Sequence, residues 1–94
     1  MENERDHGAP HRATDQTLRA IVYMAESQFG RTFSQIVEHM GAPKSSIHPI
    51  LRTLTERGFL RYNAQIRVYK TGVRMFECGY CFLEQTDVLD LIRN

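Results

Sequence analysis

The residues best suited to chemistry lie close together. Lys44, Ser45, Ser46 and His48 form one run, and Arg52 follows one helical turn later. Lysine and arginine neutralise phosphates, and an arginine fork can also pair with O6 and N7 of guanine. Serine hydroxyls donate to phosphate or base. Elsewhere, Cys78-Gly79-Tyr80-Cys81 is a C-x-x-C. A thioredoxin-like redox pair belongs at a strand-to-helix junction of a βαβ unit, and no such unit is visible. A zinc site needs a second ligand pair. His7 and His11 are the only candidates four residues apart, and they sit in a polar N-terminal stretch. The two cysteines therefore read as small apolar residues on a packed helix. Asp87 and Asp90 read as solvated helix charges rather than a metal site. Gly41, Gly58, Gly72 and Gly79 are too scattered for a phosphate loop and read as caps and turns. With no nucleophile–base or carboxylate pair, the expectation is a protein that is not an enzyme and carries no cofactor and no metal.

The charge distribution agrees with an anionic partner. The net charge of the 94 residues is only +1. Residues 31–74, however, hold eight of the 12 lysines and arginines against Glu38 and Glu56 alone. Both ends are net acidic. A basic middle suggests a face that meets an anion, most often nucleic acid. The hydrophobic share of 41% and charged share of 24% are those of a globular chain. The length suits one small domain. No stretch approaches the ~20 apolar residues needed to span a bilayer, and no secretory signal is visible. Two cysteines do not make a stapled secreted scaffold. The expected location is cytoplasmic, without a membrane partner.

These residues need elements to carry them. Residues 1–13 are polar, show no apolar period and read as a disordered tail. A first helix starts with Thr14 or Asp15 as N-cap, and Leu18, Ile21, Val22 and Ala25 make its apolar stripe. Ala20, Tyr23 and Met24 lie off that stripe, as if to meet another chain. Thr32 and Gln35 fit a capping box for a short second helix, with Phe33, Ile36, Val37 and Met40 as its stripe and Gly41 at its C-terminus. Pro43 opens a third helix, whose stripe is Ile47, Ile50, Leu51 and Leu54. Its opposite face carries Ser45, Pro49, Arg52 and Glu56, with His48 on the flank. Phe59–Tyr62 and Ile66–Lys70 flank a polar turn at Asn63–Gln65 and read as a β-hairpin. A last helix runs from about Val73 to Glu84, with Val73, Phe76, Tyr80 and Leu83 buried. Asp87–Asn94 opens another helix.

Helix, helix, three-residue turn, helix and basic hairpin is the order of a winged helix-turn-helix, a mainly α fold with a small β-hairpin. The second helix of the pair would enter the major groove, N-terminal residues first. That places Lys44, Ser45, Ser46, His48 and Arg52 at double-stranded DNA. Arg31, Thr32, Arg61 and Arg67 are further candidate contacts, the last two on the hairpin. His39 reads as an exposed residue near a helix end.

From about Leu18 to Gly79 the sequence resembles the N-terminal DNA-binding domain of the IclR family of bacterial transcriptional regulators. The resemblance rests on Phe33–Val37, Gly41–His48, Leu51, Leu54 and Glu56–Leu60, with Tyr69, Gly72 and Gly79 at family positions. It implies sequence-specific DNA binding as a homodimer on a palindromic operator, with the first helix, and so Ala20, Tyr23 and Met24, at the dimer interface. It also implies a C-terminal effector domain beyond this chain, whose small-molecule effector is not readable here. Pro49 departs from the family, which commonly has a longer polar or basic residue there. Proline inside a helix removes a hydrogen bond and costs ~3 kcal/mol unless the helix bends. The domain reading is a tail at 1–13, a winged helix-turn-helix at 14–72, and a C-terminal helix with the start of a linker helix at 73–94. Pro49 favours the alternative, a winged-helix protein-interaction module that does not bind DNA. A small C-x-x-C redox protein is a third reading.

Overall fold

The computed structural model of the chain describes residues 8–93. Residues 1–7, most of the expected tail and including His7, lie outside the described residues. The order of elements is α1 (Arg12–Ala25), α2 (Phe33–Met40), α3 (Lys44–Glu56), β1 (Leu60–Asn63), β2 (Val68–Thr71), α4 (Val73–Gln85) and α5 (Val88–Arg93). This is the expected winged helix-turn-helix, mainly α with one two-stranded hairpin.

Helix α1 starts at Arg12, so its N-cap falls three residues before the expected Thr14. His11 is its N-cap, and the His11 Nδ1 accepts from the Thr14 amide at 3.3 Å. The buried face of α1 also differs from the expected stripe. Ala20 and Met24 are 1% and 0% exposed, whereas Leu18 and Val22 are each 57% exposed. Ala20 and Met24 therefore belong to the core of their own domain and have no surface to offer a second chain. The helix has two apolar faces, and the one carrying Gln16, Ala20 and Met24 is turned inward. Small Ala20 and flexible Met24 let α1 sit close over α2 and α3.

Helix α2 forms as expected. The Thr32 Oγ1 accepts from the Gln35 amide at 3.1 Å, and the Gln35 Oε1 accepts from the Thr32 amide at 2.9 Å. This reciprocal cap satisfies two amides that a helix start otherwise leaves orphaned. Gly41 ends α2 at φ 65°, ψ 30°, a left-handed conformation that glycine adopts without Cβ cost. Ile36 and Met40 of α2, Ile47, Leu51 and Leu54 of α3, and Leu60 of β1 complete the core. Pro43 is the N-cap of α3 rather than part of its first turn, and α3 runs unbroken through Pro49. The proline is on the exposed side, so the Ser45 carbonyl that loses its helical donor is open to water.

Strands β1 and β2 pair antiparallel with Tyr62 opposite Tyr69 and Arg61 opposite Lys70. The turn is one residue longer than expected, because Ile66 and Arg67 belong to the loop. The Asn63 Oδ1 accepts from the Gln65 and Ile66 amides, and Arg67 closes the loop at φ 57°. A third segment joins from the other side. The Arg31 amide donates to the Tyr69 carbonyl at 2.9 Å and the Tyr69 amide to the Arg31 carbonyl at 2.8 Å. This bridge fixes the wing to the start of α2.

Helix α4 occupies the expected span, but its expected buried set is exposed. Val73, Phe76, Tyr80 and Leu83 are 49–69% exposed, and no residue of α4 is buried. The helix touches the body through its first turn, where the Arg74 amide donates to the Gly58 carbonyl. Nothing else among the described residues covers it. Cys78 and Cys81 are likewise exposed rather than packed. No helix among the described residues is long and apolar enough to cross a membrane.

Candidate nucleic-acid interface

A recognition surface requires α3 to be held rigidly from behind and bare in front. Ile47 and Leu51 are fully buried and Leu54 nearly so, which pins the inner face. The outer face then follows from the helical period. Ser45, His48, Pro49, Arg52 and Glu56 are all exposed, and Lys44 is exposed at the N-terminal end. The His48 ring is set edge-on to Phe33 of α2, with centroids 6.0 Å apart. Glu56 is the only acidic group on this face.

The wing supplies a second wall. A groove of about 220 Å³ runs between α3 and the hairpin, lined by His48, Arg52, Thr55, Glu56, Tyr62 and Tyr69. The two tyrosine rings lie 4.6 Å apart. Burial and the neighbouring Tyr62 raise the Tyr69 phenol above its usual pKa, so it stays a neutral donor through the physiological range. Tyr62, Tyr69 and Thr55 were not among the expected site residues. For the tyrosines the signal was the strand alternation of LRYN and VYKT, which puts both on one face once the register is known.

Alternation puts Arg61 and Lys70 on the opposite face of the hairpin. They are directly across from each other, where like charges repel. The Arg61 Nε donates to the Thr71 carbonyl at 2.9 Å, which holds one cation in place. Arg67 stands exposed in the wing loop. The cations of the wing are thus divided between its loop and one face, ready for phosphates but separate from the α3 groove.

Two expected contacts have other work. The Arg31 guanidinium lies 3.9 Å from the centre of the Tyr23 ring, and its Nε donates to the Tyr23 carbonyl. His39 stacks on the same ring at 3.8 Å, necessarily on the other face. This three-layer stack ties the segment before α2 to α1 and α2. Tyr23 is half-buried in it rather than free for a partner. The Thr32 hydroxyl is taken by the cap of α2. Among the described residues no group of three or more His, Cys, Asp or Glu side chains could hold a metal ion.

The IclR helix-turn-helix domain matches residues 13–64, more than half of the chain. The chain belongs to the IclR family. Over 75 residues this IclR domain is 25% identical to the transcriptional repressor IclR of Escherichia coli (strain K12), spanning 80% of the chain and 27% of that protein. It is 27% identical over 82 residues to the HTH-type transcriptional regulator BhcR of Paracoccus denitrificans (strain Pd 1222), spanning 87% and 29%. Among solved structures, Pseudomonas aeruginosa HmgR superposes with a TM-score of 0.72 at 28% identity, over 85% of this chain and 33% of that one. An IclR-family regulator from Alicyclobacillus acidocaldarius gives 0.75 at 24% identity over 85% and 32%, a likeness of fold. The chain spans about a third or less of the length of these relatives. It carries the DNA-binding domain type of a family of transcriptional regulators, which are not enzymes.

Proposed function

We propose that this IclR domain binds a palindromic operator as a homodimer and reads its sequence through α3. The observation that carries the reading is the outer face of α3. Four exposed donor groups, Lys44, Ser45, His48 and Arg52, stand on a helix whose inner face is locked in the core. Lys44 at the N-terminal end suits phosphate, Ser45 and His48 suit base edges, and Arg52 suits either. Ser46, half-buried beside them, can reach only the edge of such a contact. Arg61 and Arg67 suit the flanking backbone.

Dimerisation rests on apolar surface that one chain leaves uncovered. Leu18 and Val22 of α1 and Phe76, Tyr80 and Leu83 of α4 are all exposed. Apolar residues in such number favour a protein partner. Two copies on a palindrome would place their α3 helices about one DNA turn, ~34 Å, or a multiple apart. Cytoplasmic location follows from the DNA target.

The test is fluorescence anisotropy with a random duplex pool at two salt concentrations, followed by selection. The expected result is salt-dependent binding and an enriched palindrome. Salt-insensitive, weak association would overturn the reading in favour of a protein-interaction module. In sedimentation, Val22→Glu and Phe76→Glu should shift the protein toward monomer without unfolding it, since both side chains are exposed.

A further inference from the structure

The feature that DNA binding leaves unused is the thiol face of α4. Arg74, Cys78, Cys81 and Gln85 recur at i, i+4, i+7 and i+11, so they form one stripe. The apolar residues Phe76, Tyr80 and Leu83 form a second stripe on the opposite side. If the apolar stripe meets a partner, the thiol stripe stays in water. Both thiols are exposed and free. They line one shallow groove of about 240 Å³ with Arg74, Glu77, Phe82 and Gln85.

We infer that Cys78 and Cys81 are a thiol–disulfide modification site, closing within one turn of α4 when a small disulfide such as oxidised glutathione is present. Residues three apart on a helix have Cα atoms about 5 Å apart, inside the roughly 4.4–6.8 Å range of disulfides. Their Cβ atoms are about 5–6 Å apart, whereas a disulfide holds them at roughly 3.5–4.5 Å. Closure therefore tightens the turn. Two observations make that tightening cheap. Gly79 lies inside the turn, and a Cβ built there would meet nothing within 4 Å, so no packing resists a shift. Glycine is also the weakest helix former after proline. Beyond its first turn, α4 has no buried residue holding it straight.

The Arg74 guanidinium sits beside this turn. Its pKa is raised first by the hydrogen bond to Glu77, at 2.7 Å, and then by Coulombic attraction to the same carboxylate. The Arg74 side chain lines the same groove as both sulfurs. In the first step one cysteine thiolate attacks a sulfur of the glutathione disulfide, giving a mixed disulfide and one glutathione thiolate. The second cysteine thiolate then attacks the cysteine sulfur of the mixed disulfide and expels the second glutathione thiolate. The protein loses two protons and two electrons. The oxidant takes up both electrons and leaves as two glutathione thiols after protonation. The mid-helix position distinguishes this site from an oxidoreductase motif: its product is a bent α4, which alters the spacing of Phe76 from Tyr80 and Leu83.

The test incubates the full 94-residue chain with reduced and oxidised glutathione in varying ratio, then traps thiols by acid and alkylation. The expected main product by mass spectrometry is a monomer lacking two hydrogens, with lower helicity by circular dichroism. Reducing agent should restore both. Cys78→Ser and Cys81→Ser should each stop at one glutathione adduct and keep their helicity. A wild-type chain that accumulates two glutathione adducts, cross-links to a second chain, or stays fully reduced in excess oxidised glutathione would overturn the inference. Loss of two hydrogens without a change in helicity would overturn the coupling to α4. None of these readouts depends on DNA binding.

Discussion

Replacing Gly30 with alanine should separate the wing from the helices. Gly30 has φ +89°, and its backbone runs tightly along β2. A Cβ there would stand 2.6 Å from the Tyr69 carbonyl oxygen and in collision with the Val68 Cγ1. The left-handed backbone alone costs an L-residue roughly 1–2 kcal/mol. The overlap adds about 1–3 kcal/mol, because the obstacle is partly backbone and cannot rotate away. Relief requires moving β2, which breaks the paired Arg31–Tyr69 hydrogen bonds, each contributing about 0.5–1.5 kcal/mol. The cost should therefore settle near 3 kcal/mol. Gly41→Ala is the control. Gly41 has φ +65° and open space around it, so it should lose only the backbone share, about 1 kcal/mol. With a urea slope near 1 kcal/mol/M for a domain this small, the midpoint should fall by about 3 M for Gly30→Ala and about 1 M for Gly41→Ala. Urea melts followed by circular dichroism read both. Equal shifts in the two variants would refute the claim that the Gly30 contact with β2 holds the wing.

Other outcomes follow from the same geometry. Thr32→Ala should cost about 1 kcal/mol through loss of the reciprocal cap on α2, and Thr32→Ser should recover most of it in the same melts. The folded state raises the Tyr69 pKa, so its contribution is fully present below about pH 10 and is lost as pH rises through the folded value. Urea midpoints of wild type should therefore fall more steeply above pH ~10 than those of Tyr69→Phe. Lys44→Ala should weaken binding to all duplexes alike and reduce the salt slope by about 1. Arg52→Ala should do the same if it meets phosphate, or cost about 1–3 kcal/mol of discrimination at one base pair if it reads guanine. Unchanged binding in both variants would remove α3 from the groove.

How much of this was legible depended on where each signal is stored. The start and end of α2 are local chemistry: a Thr-x-x-Gln box and a glycine at the αL position say the same thing in sequence and in space. The α1 stripe was not legible in that way. Leu18, Ile21, Val22 and Ala25 make as good an apolar face as Gln16, Ala20 and Met24, and only the shape of α2 and α3 decides which is inward. Periodicity reports that a helix has an apolar side, not what covers it. The same limit misplaced Val73, Phe76, Tyr80 and Leu83, for which one chain provides no cover. The bridge from Arg31 to Tyr69 joins residues 38 apart through backbone atoms alone, which leave no mark on side-chain pattern. Arg31 and Thr32 hold intramolecular contacts that the sequence did not announce, because a cation and a hydroxyl near a helix start can serve either the fold or DNA. The candidate face of α3 was legible because its buried stripe is unambiguous and fixes the opposite side.

The tyrosine pair at the mouth of the α3 groove has a practical consequence. The chain has no tryptophan and four tyrosines, so its near-ultraviolet emission comes from those four rings. Each stands in a different setting or marks a different place: Tyr23 between a guanidinium and an imidazole, Tyr62 and Tyr69 tilted against each other where wing and helix meet, Tyr80 half exposed beside Phe76 on α4. Tyr62→Phe, Tyr69→Phe and Tyr80→Phe in turn would assign the emission to its sources. An unlabelled protein could then report a ligand in the groove and a partner on α4 as separate optical changes in one titration.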